Sequence, residues 1–264
     1  MKAVLGSVWG AVIGVAAGLI GVGGGEFRIP VLIHILRFPI RVAAGANTII
    51  GLVVVVVGVW RRWQSIPDDL TLAGMMSGPS IVGAAVGAAF ADRVPTKPLK
   101  NFVCVYLLVV GTWMLIEAFS HTEHVLLIPT GMTSWILGAV FGFLIALISG
   151  CLGVAGGEMR IPTLLYLFGL PIKEAGTISL LVSIPTVAAS AVSYYQFGHI
   201  PKDVLHISIL MGIASVLGVL AGAAAVPYVN QHTLKGLLGL ILILATVRLT
   251  APVGSDQRAD FETQ

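Results

Sequence analysis

Apolar residues run through this chain in long blocks, with polar residues confined to short joints between them. Eight blocks fall at roughly 4–22, 42–60, 70–91, 99–118, 133–151, 174–195, 203–225 and 233–250. Each approaches or exceeds the ~17–25 residues that carry a helix across a bilayer. Two shorter apolar pieces, about 29–38 and 161–170, would make helices of only ~15 Å at 1.5 Å per residue, half a membrane. Their length predicts re-entrant or broken helices. The joints include "RRWQSIPDD" at 61–69, "DRVPTKPLK" at 92–100 and "QFGHIPKD" at 196–203.

Composition turns this pattern into a class. Hydrophobic residues make up 57% of the 264 and charged residues only 10%, where a soluble domain carries about 25% charged. A surface so poor in charge cannot face water, so lipid is the solvent for most of the protein. A net charge of +3 gives no basis for binding nucleic acid. Cys104 and Cys151 both sit in apolar blocks and read as small embedded residues, not as a disulfide or a metal site. The first block could pass for a signal peptide. However, residues 133–151 play the same part inside the chain, so the first block is read as a retained helix.

The chain also repeats itself. "GVGGGEFRIP" at 21–30 returns as "GVAGGEMRIP" at 153–162, and residues 21–40 match 153–172 at 11 of 20 positions. Farther on, Asn47 falls opposite Ser179, and with small gaps Leu99-Lys100 meet Leu234-Lys235. The expected fold is an all-α polytopic membrane protein of two homologous halves. Each half has four spanning helices plus one short re-entrant or broken helix. The expected divisions are 1–119 for the first repeat, 120–131 for the loop between repeats, 132–251 for the second repeat and 252–264 for a polar tail. If the short piece completes a fifth passage, the halves are inverted. Nine Lys and Arg then fall inside and four outside, leaving the motif arginines uncounted, and the positive-inside rule favours this arrangement.

The repeated motif carries the chemistry. Glycine permits irregular backbone, and Pro30 and Pro162 suit the first turn of a new helix. Each motif therefore reads as a helix, an unwound glycine turn and the start of a short helix. A break of this kind at membrane depth must face protein or a water-lined cavity. Its free N–H groups and dipole end suit an anion. Gly23, Gly24 and Gly25 with Ala155, Gly156 and Gly157 form the expected substrate-binding turns, and Gly24 and Gly156 are expected at positive φ. Arg28 and Arg160 could add forked donors for an oxyanion, and Asn47 and Ser179 could hydrogen-bond it. Glu26 and Glu158 are ionisable groups inside a membrane, which mark an ion or proton path. The competing reading has them stabilise the turns, by pairing with arginine or capping the short helix. Trp60, Trp63, Tyr194 and Tyr195 read as an interfacial aromatic belt. Gly83, Gly87, Gly218 and Gly222 read as close-packing positions.

The paired "GVGGGEFRIPVL" and "GVAGGEMRIPTLL", each followed by "FPIRVAAGANT" or "LPIKEAGTIS", resemble the sulfite exporter TauE/SafE family over nearly the whole chain. The resemblance implies a bacterial inner-membrane permease with duplicated halves that moves sulfite, sulfonates or related small sulfur-containing anions. The motif positions carried over are Gly23, Gly24, Gly25, Glu26 and Pro30 with Ala155, Gly156, Gly157, Glu158 and Pro162. Ala155 departs from the glycine pattern and stiffens the second turn.

The leading expectation is a secondary transporter, not an enzyme, whose partners are a small anion and the lipid bilayer. Neither a cofactor nor a metal is expected. No Gly-x-x-x-x-Gly-Lys-Ser/Thr loop is present, so energy would come from ion or substrate gradients. An anion channel built on the same broken helices is the first alternative. An intramembrane hydrolase using Ser149 or Cys151 is the second.

Overall fold

The computed structural model describes residues 2–91, 93–94, 96–120 and 129–250. Most of the expected loop between repeats (121–128) and the expected tail lie outside the described residues. The described residues are helical, with no strand. The helices are α1 (Lys2–Ile20), α2 (Gly25–Pro30), α3 (Ile40–Arg61), α4 (Thr71–Phe90), α5 (Thr96–Ser120), α6 (Gly131–Leu152), α7 (Gly157–Tyr166), α8 (Ile172–Gln196), α9 (Lys202–Ala225) and α10 (Gln231–Thr250). A π-helical turn, Val31–Ile35, extends α2. Among the described residues, six stretches are long and apolar enough to cross a membrane: Ile40–Arg61, Thr71–Phe90, Pro98–Ser120, Gly131–Leu152, Ile172–Gln196 and Ser208–Tyr228. Leu5–Ile20 and Gln231–Thr246, within the first and last expected spans, are shorter apolar helices.

Polarity is distributed inside out. Val12, Val105, Val109 and Leu217 are exposed, whereas Arg28 and Arg160 rank among the largest fully buried side chains. Water would punish both choices; a bilayer rewards the first and requires the second. The chain is a multi-pass membrane protein.

Close backbone approach holds the bundle together. A Cβ on Gly218 or Gly222 of α9 would strike the carbonyl oxygens of Ala11 or Val15 on α1. A Cβ on Gly83 or Gly87 of α4 would strike those of Phe143 or Leu147 on α6. These are the four glycines expected to pack. Small residues at such spacing let helices gain van der Waals contact where lipid offers no hydrophobic drive. The α5–α10 pair closes in the same way, with Gly111 and Gly239 each facing the other's carbonyl. Asn230 caps α10 by accepting the Thr233 N–H at 2.7 Å.

The short helices begin and end by different means. Gly24 and Gly156 precede α2 and α7 with φ of 73° and 76°, the left-handed conformation expected of them. Pro30 and Pro162 do not start these helices: both sit at the sixth residue. The glycine turn already ends before Glu26 and Glu158, so helix begins earlier than the prolines suggest. A proline there cannot donate to the carbonyl four residues back, which is that of Glu26 or Glu158. Both segments close through a hydrogen bond to the carbonyl six residues back, Phe38 N–H to Leu32 O at 3.0 Å and Leu170 N–H to Leu164 O at 3.1 Å. The left-handed residue at that closure is Gly169 in the second segment and Arg37, at φ 60°, in the first.

Candidate functional site

The two glycine turns meet. A Cβ on Gly23 would lie 2.8 Å from the Cβ of Ala155, and one on Gly157 would lie 2.6 Å from the Val22 carbonyl oxygen. Gly23 has φ 88°, whereas Ala155 is absent from the positive-φ residues, where Arg37 is the only non-glycine among those described. The alanine is tolerated because the second turn does not take the left-handed conformation at that position.

Arg28 and Arg160 fasten these turns to the helices that follow. Arg28 donates through Nη2 to the Gly23 carbonyl at 2.6 Å and through Nε to Asn47 Oδ1 at 2.9 Å. Asn47 then donates through Nδ2 to the Gly153 carbonyl at 2.7 Å. One chain of bonds thus ties the first turn, α3 and the second motif together. Arg160 donates to the Ser179 carbonyl at 3.1 Å, to Ser183 Oγ at 2.8 Å and to the Ala155 carbonyl at 3.5 Å. Serine at 179 is shorter than asparagine at 47, and Ser183, one turn on, supplies the side-chain contact. Arg28 Nη1 and Arg160 Nε and Nη2 have no hydrogen-bond partner.

Glu26 and Glu158 are nearly inaccessible, at 5% and 2% exposure. Their carboxyl groups lie close enough to interact with each other. Both Glu26 oxygens and Glu158 Oε2 have no hydrogen-bond partner. Among the described residues neither glutamate forms an ion pair with Arg28 or Arg160, although each arginine feels the charge of the glutamate in its own motif.

Both glutamates line a cavity of about 130 Å³, ample for a small hydrated anion. Ile29, Pro30, Ile33, Val103 and Leu107 supply apolar walls, and Arg41, Lys100 and His34 also line it. The buried carboxyls form its inner end; half-buried Lys100 and Arg41 and exposed His34 mark its mouth. Of the expected site residues, the cavity therefore takes Glu26, Pro30 and Glu158. Gly23–Gly25, Arg28, Asn47, Ala155–Gly157, Arg160 and Ser179 form the layer behind it.

Arg41 and Lys100 were not singled out as site residues from the sequence. The pairing of Leu99-Lys100 with Leu234-Lys235 was the available signal for Lys100. Tyr194, expected in an aromatic belt, is fully buried. It donates to the Gly150 and Cys151 carbonyls at 3.1 and 3.2 Å, at the end of α6. Arg62, 132 positions earlier, donates to the Gly18 and Leu19 carbonyls at 2.6 and 2.8 Å, at the end of α1. Trp60, Trp63 and Tyr195, the other expected belt residues, are strongly exposed. Ser149 Oγ is turned to the Ala146 carbonyl of its own helix at 3.2 Å.

A polar-cored helical bundle in lipid, with a charged cavity beside broken helices, has the build of a membrane transporter. Comparison with known proteins agrees, and gives the family: the chain belongs to the sulfite exporter TauE/SafE family, whose model matches residues 7–249. It is 21% identical over 253 residues to the probable membrane transporter protein YjnA of Bacillus subtilis (strain 168), covering 91% of this chain and 96% of that one. It is 34% identical over 118 residues to the probable membrane transporter protein YtnM of the same organism, covering 42% of this chain and 39% of that one. No solved structure matches the chain.

Proposed function

We propose that the protein is a proton-coupled secondary transporter of small sulfur-containing anions such as sulfite or organosulfonates. The observation that carries this reading is the Glu26–Glu158 pair, buried together at the inner end of a cavity whose mouth bears Arg41 and Lys100. With both carboxylates ionised, their charges cancel those of Arg28 and Arg160. An entering anion then finds no net attraction and faces two acceptor groups. One proton on the pair leaves the cluster one positive charge in excess, enough to hold a monoanion. That uncompensated buried charge is expensive until an anion offsets it. Proton and anion therefore enter and leave together.

The same reading assigns roles to the rest of the motif. Arg28, Arg160, Asn47 and the Ser179 carbonyl hold the turns Gly23–Gly25 and Ala155–Gly157, and the two arginines supply positive potential. The starts of α2 and α7 add theirs. Apolar walls keep water from screening the site.

We further read the halves as inverted repeats with the cavity mouth on the cytoplasmic side. In support, the equivalent helices α5 and α10 run antiparallel, with Glu117 near the end of α5 bonded to Lys235 near the start of α10 and Thr246 bonded to the Cys104 carbonyl. The end of α1 also meets α8 through Gly21 and Gly176 as the end of α6 meets α3 through Gly153 and Ala44. The α1–α9 and α4–α6 glycine contacts are likewise exchanged between halves. Arg41, Arg93 and Lys100 cluster around the mouth end, as the positive-inside rule asks of a cytoplasmic face.

The test is flux in proteoliposomes with sulfite, taurine, thiosulfate, sulfate and acetate as solutes. Saturable sulfite or sulfonate flux that follows an imposed pH gradient is expected. Non-saturating conductance indifferent to pH would instead establish a channel.

A further inference from the structure

The protein holds a second buried cluster at the end opposite the cavity mouth. Lys235 Nζ lies 3.1 Å from Glu117 Oε2, with the two side chains 6% and 2% exposed. The Tyr166 hydroxyl donates to the same oxygen at 2.9 Å, and Trp113 Nε1 donates to Glu117 Oε1 at 3.1 Å.

The repeat gives this cluster its meaning. Lys235 corresponds to Lys100, and Tyr166 to His34, by the alignment of the two halves. Lys100 and His34 line the open cavity; Lys235 and Tyr166 are buried. Leu99, on the cavity wall and half-buried, corresponds to Leu234, which is 2% exposed. The spacing that relates Lys100 to Lys235 carries Glu117 onto Pro252, so the first half has an acid that the second does not repeat. One end is thus open around a lysine without this clamp, while its counterpart is shut around a lysine held by Glu117.

We propose that Glu117, Tyr166 and Lys235 form the gate that closes the far end of the transport path. We further propose that Lys235, once released from Glu117, receives the anion at that mouth as Lys100 does at the other. This rests on the transporter reading above, in which both ends must open in turn around one site. An ion pair suits a gate because it is strong while buried and loses its hold once water enters. An anion reaching Lys235 replaces Glu117 as its partner, so arriving substrate favours the open state. Glu117 and Tyr166 act as positioning residues that set which end is open.

The experiment measures accessibility without any anion or pH gradient, so it does not depend on the identity of the substrate or the coupling ion. Leu99→Cys and Leu234→Cys are made separately in a Cys104→Ala/Cys151→Ala background. Each is then treated with an impermeant maleimide from either face of sealed vesicles. In the parent, Leu99→Cys reacts from the cavity face and Leu234→Cys is protected. Adding Glu117→Gln should raise Leu234→Cys labelling from the opposite face at least tenfold and lower that of Leu99→Cys. Should Glu117→Gln fail to fold, Tyr166→Phe carries the test, with roughly a threefold rise expected. Unchanged protection of Leu234→Cys in a folded variant overturns the gate, as does a rise at both positions, which reports general loosening. Absence of sulfite flux in the parent, together with the expected labelling shift in Glu117→Gln, would refute the substrate reading and leave the gate standing.

Discussion

Glu26 and Glu158 share one cavity although they lie 132 residues apart (158 − 26), and neither pairs directly with the arginine two positions after it. The arginines bind backbone instead. On the proposed reading, this division of labour separates the proton-bearing groups from the groups that hold their shape.

Arg28→Gln should therefore lower stability and transport together, because it strands the Gly23 carbonyl and Asn47. Charged hydrogen bonds of this kind contribute about 1.5–3 kcal/mol each, so a drop in melting temperature of several degrees is expected. Arg28→Lys should recover little, since one ammonium cannot replace a planar fork reaching two acceptors. Thermal unfolding in detergent alongside sulfite uptake checks this. A purely anion-gripping arginine would instead lose affinity at unchanged melting temperature.

Gly24→Val and Gly156→Val should abolish transport. A Cβ at Gly24 would stand 2.8 Å from Ile13 Cγ2, and one at Gly156 would stand 2.9 Å from Ser149 Oγ. Both residues also occupy the left-handed region that β-branched side chains avoid. Gly222→Val meets backbone on α1 and should act mainly through stability and expression. Uptake normalised to folded protein separates the two classes.

Arg37→Gly should stabilise the protein by roughly 1 kcal/mol, since an L-residue in the left-handed conformation costs about 1–2 kcal/mol and glycine brings back part of that as chain entropy. The side chain is exposed, and the second half already places Gly169 at the equivalent closure. A raised melting temperature with unaltered flux is the expected result, measured on the purified variant.

Much of this arrangement was legible in the sequence. Long apolar blocks marked the helices, the repeated decamer marked the candidate site, and the glycine run marked left-handed backbone at Gly24 and Gly156. What escaped were relationships set by direction and distance. A buried arginine reads alike whether it faces a cavity or a carbonyl, so the role of Arg28 needed its partners. Tyr194 looked interfacial because it neighbours exposed Tyr195, yet successive helical residues point about 100° apart and Tyr194 turns inward. Its equivalent, Arg62, does the same capping work with different chemistry, and no alignment of residue types would pair them. The Glu117–Lys235 contact joins positions that the sequence keeps 118 residues apart, with no motif around either.

Proton coupling through the buried carboxylates is the central claim, and Glu158→Gln, with Glu26→Gln beside it, tests it most directly. Glutamine mimics the protonated side chain in shape and charge, so the anion should still bind. The measurement is sulfite counterflow and pH-gradient-driven sulfite uptake on the same reconstituted preparation. The account predicts that counterflow persists at a substantial fraction of the parent rate in at least one variant while gradient-driven accumulation falls to background. Accumulation retained by both variants, or counterflow and accumulation lost equally with a lowered melting temperature, would contradict it.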